Sequence, residues 1–206
     1  MGGGKIKGGH AGTLDPLASG VMVVCTGRAT KQIDTLQAGV KEYIATLRLG
    51  ATTPSFDLEH PIDHTYATCH IDHQLVETQL KKFIGDIWQT PPAFSAVKVD
   101  GKRAYDLARK GKEVELKPKL LRIDELELLD CALAGAEKFL TIRVVCSKGT
   151  YIRALARDIG EALGSGAHLT SLRRTRVGDF RVEDCMQLDD FEGWLAQQTI
   201  ETELPQ

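Results

Sequence analysis

The order of strands and helices along this chain is the feature that most restricts its fold. Residues 41–49 (KEYIATLRL) and 138–146 (KFLTIRVVC) alternate in polarity as half-buried strands do, whereas residues 73–84 and 150–163 carry apolar side chains at helical spacing. These elements do not follow a regular βαβ order, which disfavours a parallel sheet with crossover helices. We therefore expect an α+β fold with a mixed, mainly antiparallel central sheet and flanking helices.

Local signals refine this pattern. We expect a further strand at Val21–Cys25, and the alternation in residues 41–49 places Tyr43 on the inward face. Asp72 is suited to cap a helix whose apolar spacing continues to Ile84 and which Gly85 ends. The stretch PPAFSAVKVDGKRAYDLARKG predicts a strand, a D-G turn and a short basic helix, and LKPKLLRIDELELLDC predicts another strand.

Charge is unevenly distributed behind a formal net charge of −2. Residues 1–50, 95–122 and 147–181 each carry more basic than acidic side chains, whereas residues 182–206 carry seven acids and no base. Basic segments that share a face would form a positive surface suited to a phosphate backbone. Solvated charge on exposed faces explains the same pattern, so charge alone does not decide between the two.

Several classes of protein find no support in the sequence. There is no run of 18 apolar residues and no targeting pattern at the start, so we expect a cytoplasmic protein. The five cysteines form no C-x-x-C pair, and neither a G-x-G-x-x-G nor a P-loop pattern is present. One cluster offers metal donors: His60, His64, Cys69, His70 and His73. These residues lack the paired close spacing of structural zinc sites, so we expect no metal there.

The stretch GGHAGTLDPLASG places a lone carboxylate, Asp15, in a glycine-rich loop. Pro16 biases Asp15 toward an extended backbone and Gly12 permits a close approach of the chain, so the loop presents the carboxylate rigidly. The alternative is an Asx-turn that only satisfies local amides.

Arg153 lies in the first turn of the helix predicted within SKGTYIRALARDIGEALG, which Thr150 or Ser147 can cap. A helix N-terminus carries roughly half a positive charge, so an arginine there needs an anion opposite it, and Asp15 is a candidate. For Arg157 we expect an i,i+4 ion pair with Glu161.

Five stretches taken in order resemble the TruB-type tRNA pseudouridine synthases: GGHAGTLDPLASGV, KEYIATLRLGATTPSFD, PPAFSAVKVDGKRAYDLARKG, CSKGTYIRALARDIGEALG and AHLTSLRRTRVGDF. The resemblance implies a pseudouridine-synthase fold with a central RNA-binding cleft. It also implies isomerisation of the uridine at position 55 in the tRNA T-loop, without cofactor or metal. The partner implied is the T-arm stem-loop of tRNA, bound by a protein that we expect to be a monomer.

The resemblance also implies roles for individual residues. Asp15 would be the catalytic aspartate and Arg153 its ion-pair partner, while Tyr43 would stack on the target uracil and assist proton removal at C5. Leu172 would wall the pocket and His10 would lie near the flipped base. Further basic residues are candidates for phosphate contacts: Lys98, Arg109, Arg173 and Arg174.

The resemblance further suggests how the chain is divided. Residues 1–4 look like a junction, and residues 5–185 would form the catalytic domain without the strand and KP-x-G-x-T-S-like motif that normally precede it. We expect such a truncated chain to turn over weakly or not at all. Residues 186–206 would form an acidic tail too short for an RNA-binding PUA domain. Two alternatives stay open: an RNA-binding or RNA-folding module without catalysis, and a metal-dependent hydrolase that uses the histidine-rich loop.

Overall fold

A computed structural model describes residues 7–95, 98–99, 102–104 and 116–197. Its strands are β1 (Gly8–His10), β2 (Ala18–Gly20), β3 (Val24–Thr26), β4 (Lys41–Leu49), β5 (Ala51–Thr52), β6 (His64–Thr65), β7 (Gly85–Gln89), β8 (Lys98–Val99), β9 (Lys102–Arg103), β10 (Lys119–Ala132), β11 (Lys138–Cys146), β12 (Ala167–Val177) and β13 (Phe180–Arg181). Its α-helices within these ranges are α1 (Ile33–Ala38), α2 (His73–Leu80), α3 (Ile152–Ala162) and α4 (Phe191–Ala196). Short 3₁₀ turns occupy residues 27–32, 81–83, 182–184 and 188–190.

A seven-stranded sheet forms the centre of the described structure. Its order is β13-β12-β4-β11-β10-β7, and β2 joins the outer side of β12. Every pair along this order is antiparallel, whereas β2 runs parallel to β12. The expected α+β fold with a mixed, mainly antiparallel sheet is therefore confirmed. Three two-stranded ribbons, β1–β3, β5–β6 and β8–β9, lie outside this sheet.

One face of the sheet carries the core. The inward residues of β4 and β11 are fully buried, among them Ala45, Leu47, Leu140, Ile142 and Val144. Tyr43 continues this face toward one end of β4 and packs against the core, as the alternation predicts. The apolar stripe of α3 also joins the core with Ile152, Leu155 and Ile159, as does Leu163 just after the helix. Burial of this period-matched apolar surface is what holds α3 against the sheet.

The ends of the helices differ from the sequence predictions. Asp72 caps α2 by accepting a hydrogen bond from the Leu75 amide at 2.8 Å, as expected. The helix ends at Leu80 instead of continuing to Ile84, because Gly85, at φ +102°, already starts a strand paired with Ile123. Tyr151 takes the N-cap position of α3 without a side-chain cap, so the predicted capping by Thr150 or Ser147 is wrong.

The strand predicted at residues 21–25 is also displaced. Regular pairing occurs on either side, in β2 and β3, and Val21 between them donates its amide to the Arg174 carbonyl at 2.9 Å. β8 and β9 pair antiparallel on either side of the predicted D-G turn, whereas the turn itself and the basic helix expected after it lie outside the described residues. Among the described helices, none combines the length and apolarity that a membrane crossing requires.

Candidate active site

The loop that carries Asp15 is fixed from behind by Arg174. This side chain is only 2% exposed and donates three hydrogen bonds to backbone carbonyls: 2.8 Å to Val21, 3.3 Å to Thr13 and 3.3 Å to Gly12. Gly12 adopts φ +98°, a conformation open to glycine at little cost. Both ends of the loop are therefore tied to β12, and Asp15 projects from a rigid support.

Asp15 and Arg153 form a bidentate ion pair. The Arg153 Nε donates to Asp15 Oδ2 at 2.9 Å and its Nη2 donates to Oδ1 at 3.0 Å. This is the anion that the position of Arg153 in the first turn of α3 requires. The turn that follows is closed by the main chain, because the Ala18 amide donates to the Asp15 backbone carbonyl at 2.9 Å. The Asp15 carboxylate is therefore free of that turn and bonds Arg153. Paired donors of this kind fix the orientation of a carboxylate as well as its charge.

A second carboxylate, Asp57, lies against the same arginine. Its Oδ2 is 3.7 Å from the Arg153 Nε, and its side chain is 2% exposed. Its Oδ1 accepts hydrogen bonds from the Ser55 hydroxyl at 2.6 Å and the Glu59 amide at 2.9 Å. The loop adopts an uncommon backbone here, with Phe56 at φ 62°. Asp57 is not among the residues predicted from the sequence; the available signal was a carboxylate within a polar, proline-containing loop directly after a buried strand.

Arg153 is further held by two backbone carbonyls, of Ser55 at 3.2 Å and of Phe94 at 3.0 Å. Its side chain is 5% exposed, whereas that of Asp15 is 33% exposed. With these four hydrogen bonds the guanidinium is buried and held in place, and the Asp15 carboxylate is the member of the pair that solvent or a ligand can reach.

Asp15 opens onto a cavity of about 260 Å³. Tyr43, Arg153, Leu172 and Lys148 also line it. Burial raises the pKa of Tyr43 to about 12, although the nearby Arg174 charge and its hydrogen bond act in the opposite direction. Tyr43 consequently keeps its proton at neutral pH. The cavity combines an aromatic ring, an apolar wall and one accessible carboxylate, a composition typical of a site for a small planar ligand.

The other predicted site residues are dispersed. His10 is exposed on β1, and Arg173 is exposed on the sheet face opposite the cavity. Lys98 lies on β8, but its side chain and the whole of Arg109 lie outside the described residues. Arg174 does reach the cavity, where its buried guanidinium donates to backbone carbonyls; its phosphate contact stays a prediction.

The predicted pair of Arg157 with Glu161 is also wrong. Arg157 instead contacts Asp158 at 2.7 Å, donates to the Thr90 carbonyl at 3.1 Å and lies 5.0 Å from the centre of the Phe56 ring. The adjacent Asp158 and two tertiary partners thus take the place of Glu161. Within the described ranges, no cluster of three or more histidine, cysteine or acidic residues has a metal-binding arrangement.

Comparison with known proteins gives consistent matches. Residues 3–152 match the model of the TruB family pseudouridylate synthase N-terminal domain, and residues 153–206 match that of the tRNA pseudouridylate synthase B C-terminal domain. The boundary falls inside the first turn of α3, although β4 and β12 from the two sides pair in one sheet.

Among curated relatives, tRNA pseudouridine synthase B of Bacteroides thetaiotaomicron is 67% identical over 199 residues, which cover 97% of this chain and 83% of the relative. That of Phocaeicola vulgatus is 70% identical over 197 residues, 96% of this chain and 82% of the relative.

Solved structures agree with these matches. A Cbf5–Nop10–Gar1 complex matches at a TM-score of 0.67 and 32% identity, covering 92% of this chain and 46% of the solved one. An H/ACA RNP bound to a substrate RNA containing 2′-deoxyuridine matches at 0.64 and 28%, covering 92% and 44%. This chain thus spans less than half of either solved chain. From the two domain matches and the identity to these relatives, this chain belongs to the TruB family of pseudouridylate synthases.

Proposed function

We propose that this chain converts uridine to pseudouridine at position 55 in the T-loop of tRNA, with Asp15 as the catalytic carboxylate. The observation that carries the proposal is the Asp15–Arg153 ion pair at the mouth of a cavity also lined by Tyr43 and Leu172. Relatives at 67–70% identity named tRNA pseudouridine synthase B support the choice of substrate.

The reaction is an isomerisation in which the C1′–N1 bond breaks and a C1′–C5 bond forms. The proton on C5 leaves and N1 takes up a proton, so the composition of the nucleotide does not change. Asp15 acts either by attack on C1′ or by removal of a ribose proton. A carboxylate has about four lone-pair sites, and Arg153 occupies two of them, which leaves one on each oxygen for the substrate.

Tyr43 and Leu172 would hold the base during the exchange. The uridine must leave the RNA stack to reach Asp15, and an aromatic face contributes on the order of 1–3 kcal/mol to holding an unstacked base. Because the pKa of Tyr43 is about 12, its hydroxyl acts as a neutral group, and it can take the C5 proton only as it passes its own proton on. Such contacts fix the base without reading its sequence, so selection rests on the shape of the RNA loop.

The backbone of the RNA requires cations near the cavity. Lys148 is exposed and lines the cavity, which makes it a phosphate candidate that sequence reasoning missed. Lys98 and Arg109 remain proposed contacts. Lysine and arginine contacts to phosphates release counterions, so RNA binding should weaken steeply as salt rises.

The test is tritium release from tRNA labelled at C5 of uridine, with Asp15→Asn beside the wild-type chain. Asn keeps the size of the side chain but removes its charge and its nucleophilicity, so tritium release should stop. RNA affinity should stay within about tenfold, or roughly 1.4 kcal/mol, because phosphate contacts dominate it. Asp34→Asn is the matched control, since Asp34 is an exposed aspartate on α1.

Substantial pseudouridine formation by Asp15→Asn would refute the role of this residue. A wild-type chain that binds tRNA without releasing tritium would instead favour an RNA-binding module without catalysis.

A further inference from the structure

Gln89, the last residue of β7, makes an unusual contact with the start of α3. Its side-chain amide accepts a hydrogen bond from the Tyr151 amide at 2.9 Å and donates one to the Tyr151 carbonyl at 3.2 Å. The residue is 1% exposed. The side chain therefore pairs with both backbone groups of Tyr151, as a neighbouring peptide would in a sheet.

Tyr151 is the residue from which α3 begins. Its carbonyl accepts the first helical hydrogen bond, from Leu155 at 3.0 Å, and the helix has no side-chain N-cap. Free amides at a helix start need partners from elsewhere. Gln89 provides the Tyr151 amide with the partner that the glutamate of a capping box provides for the N-cap amide in other helices, and it does so from a strand of the central sheet.

The segment that follows Gln89 also contacts α3, through main-chain carbonyls. The Thr90 carbonyl accepts from Arg157 at 3.1 Å, and the Phe94 carbonyl accepts from Arg153 at 3.0 Å. Any residue supplies a carbonyl, so these two contacts do not depend on side-chain identity. Gln89, by contrast, contacts the backbone at the start of α3 through its side chain.

Arg153 follows Tyr151 by two residues, in the first turn of α3. Its partner Asp15 is held independently, on the loop that Arg174 ties to β12. A shift of the helix start would move Arg153 without moving Asp15, and the bidentate geometry of 2.9 and 3.0 Å would be lost.

We infer that Gln89 is a positioning residue for the reaction: by pairing with the Tyr151 backbone, it sets the place of Arg153 relative to Asp15. This inference rests on the proposed function of Asp15 and Arg153. Errors of about 1 Å in such an arrangement cost up to roughly 100-fold in rate.

Two variants test it. Gln89→Met keeps the length of the side chain but removes both hydrogen bonds, so kcat for tritium release should fall by roughly 10- to 100-fold with KM for tRNA within about twofold. Gln89→Glu can form both bonds only when protonated, because the ionised carboxylate has no donor for the Tyr151 carbonyl. Its kcat relative to wild type should therefore rise as the pH falls from about 8 to about 6, whereas the ratio for Gln89→Met should stay constant.

Val76→Ala is the matched control. Val76 is a fully buried residue of α2, so its truncation should lower the melting temperature while kcat of the folded protein stays at the wild-type value. A direct readout is the NMR signal of the Arg153 Nε–H, assigned by its loss in Arg153→Met. In the wild-type chain the ion pair should slow exchange of this proton with water, and in Gln89→Met exchange should become faster.

The outcomes separate the two proposals. Wild-type kcat in Gln89→Met, or a change confined to KM, would overturn the role of Gln89 while the wild-type turnover still supported the proposed function. Absence of turnover by the wild-type chain would overturn the proposed function. The exchange rate of the Arg153 Nε–H would then test whether Gln89 positions Arg153. Unchanged exchange in Gln89→Met would overturn that role, and faster exchange would support it.

Discussion

Replacing Arg153 with methionine tests how one cation stabilises the two carboxylates beside it, those of Asp15 and Asp57. Methionine retains much of the apolar stem but removes the guanidinium. The substitution deletes both hydrogen bonds to Asp15, those to the Ser55 and Phe94 carbonyls, and the 3.7 Å contact with Asp57. We expect loss of tritium release together with a large loss of stability.

The size of the stability loss depends on which carboxylate charge stays buried once the guanidinium is removed. Asp57, 2% exposed, would lose its neighbouring cation, and an uncompensated buried charge costs about 3–5 kcal/mol. Asp15 is 33% exposed and can be rehydrated, so it adds little to this cost. The free energy of unfolding of Arg153→Met should therefore fall by about 3–5 kcal/mol, mainly on account of Asp57.

A double-mutant cycle separates stability from catalysis. Asn at position 57 can still accept hydrogen bonds from the Ser55 hydroxyl and the Glu59 amide but carries no charge. Arg153→Met with Asp57→Asn should recover about 1–3 kcal/mol relative to Arg153→Met alone, as urea denaturation would measure. Turnover should stay absent in the double variant, because Asp15 still lacks its partner. If the double variant is no more stable than Arg153→Met, the buried charge of Asp57 is not the cause of the loss.

Three further predictions concern Tyr43 and the support of the loop that carries Asp15. Tyr43→Phe should keep RNA affinity and slow tritium release, whereas Tyr43→Ala should weaken both; wild-type turnover in Tyr43→Phe would indicate a residue of the core only. Alkaline pH should destabilise the fold, because the pKa of Tyr43 lies at about 12 in the folded protein against 10.0 for the free side chain. The contribution of Tyr43 to the free energy of unfolding is complete below pH 10 and falls by about 2–3 kcal/mol as the pH rises toward 12. Denaturation measured at those pH values should show a smaller fall for Tyr43→Phe. Gly20→Ala should lower the free energy of unfolding by more than about 3 kcal/mol in a thermal or urea melt, since its Cβ would lie 2.1 Å from the Arg174 carbonyl oxygen. Gly27→Ala is the control, also at positive φ but with nothing within 4 Å, and should cost about 1–2 kcal/mol. Equal losses in the two variants would show that the contact with Arg174 is unimportant.

The sequence by itself determined the elements whose burial repeats with a regular period. The bounds of β4 and β11 follow from strict alternation, and the body of α3 follows from its apolar stripe, because each pattern fits one backbone geometry when a single face is buried. The need for an anion beside Arg153 was also evident, since the direction of a helix dipole is a local property. The resemblance to a family then indicated Asp15 as that anion.

Contacts between distant segments were decided by the tertiary structure. Asp57 approaches Arg153 because the loop after β5 folds over the start of α3, and no local periodicity reports such a return of the chain. Arg157 likewise bonds Thr90, a residue 67 positions away, and not Glu161, one turn along its own helix. The pairing of Gln89 with Tyr151 joins residues 62 positions apart and has no local signature either.

The first of two register shifts between β12 and β4 shows the same limit most clearly. Leu169 lies opposite Leu47 and Leu172 lies opposite Ala45, so β12 uses one more residue than β4 across this interval. The extra residue reverses which side chains of β12 face the cavity, since neighbours on a strand point to opposite faces. Leu172 and Arg174 therefore face the site and Arg173 faces away. The sequence determines that these residues form a strand, but only the pairing with β4 fixes where the extra residue is accommodated and thus which of two adjacent arginines supports the loop that carries Asp15.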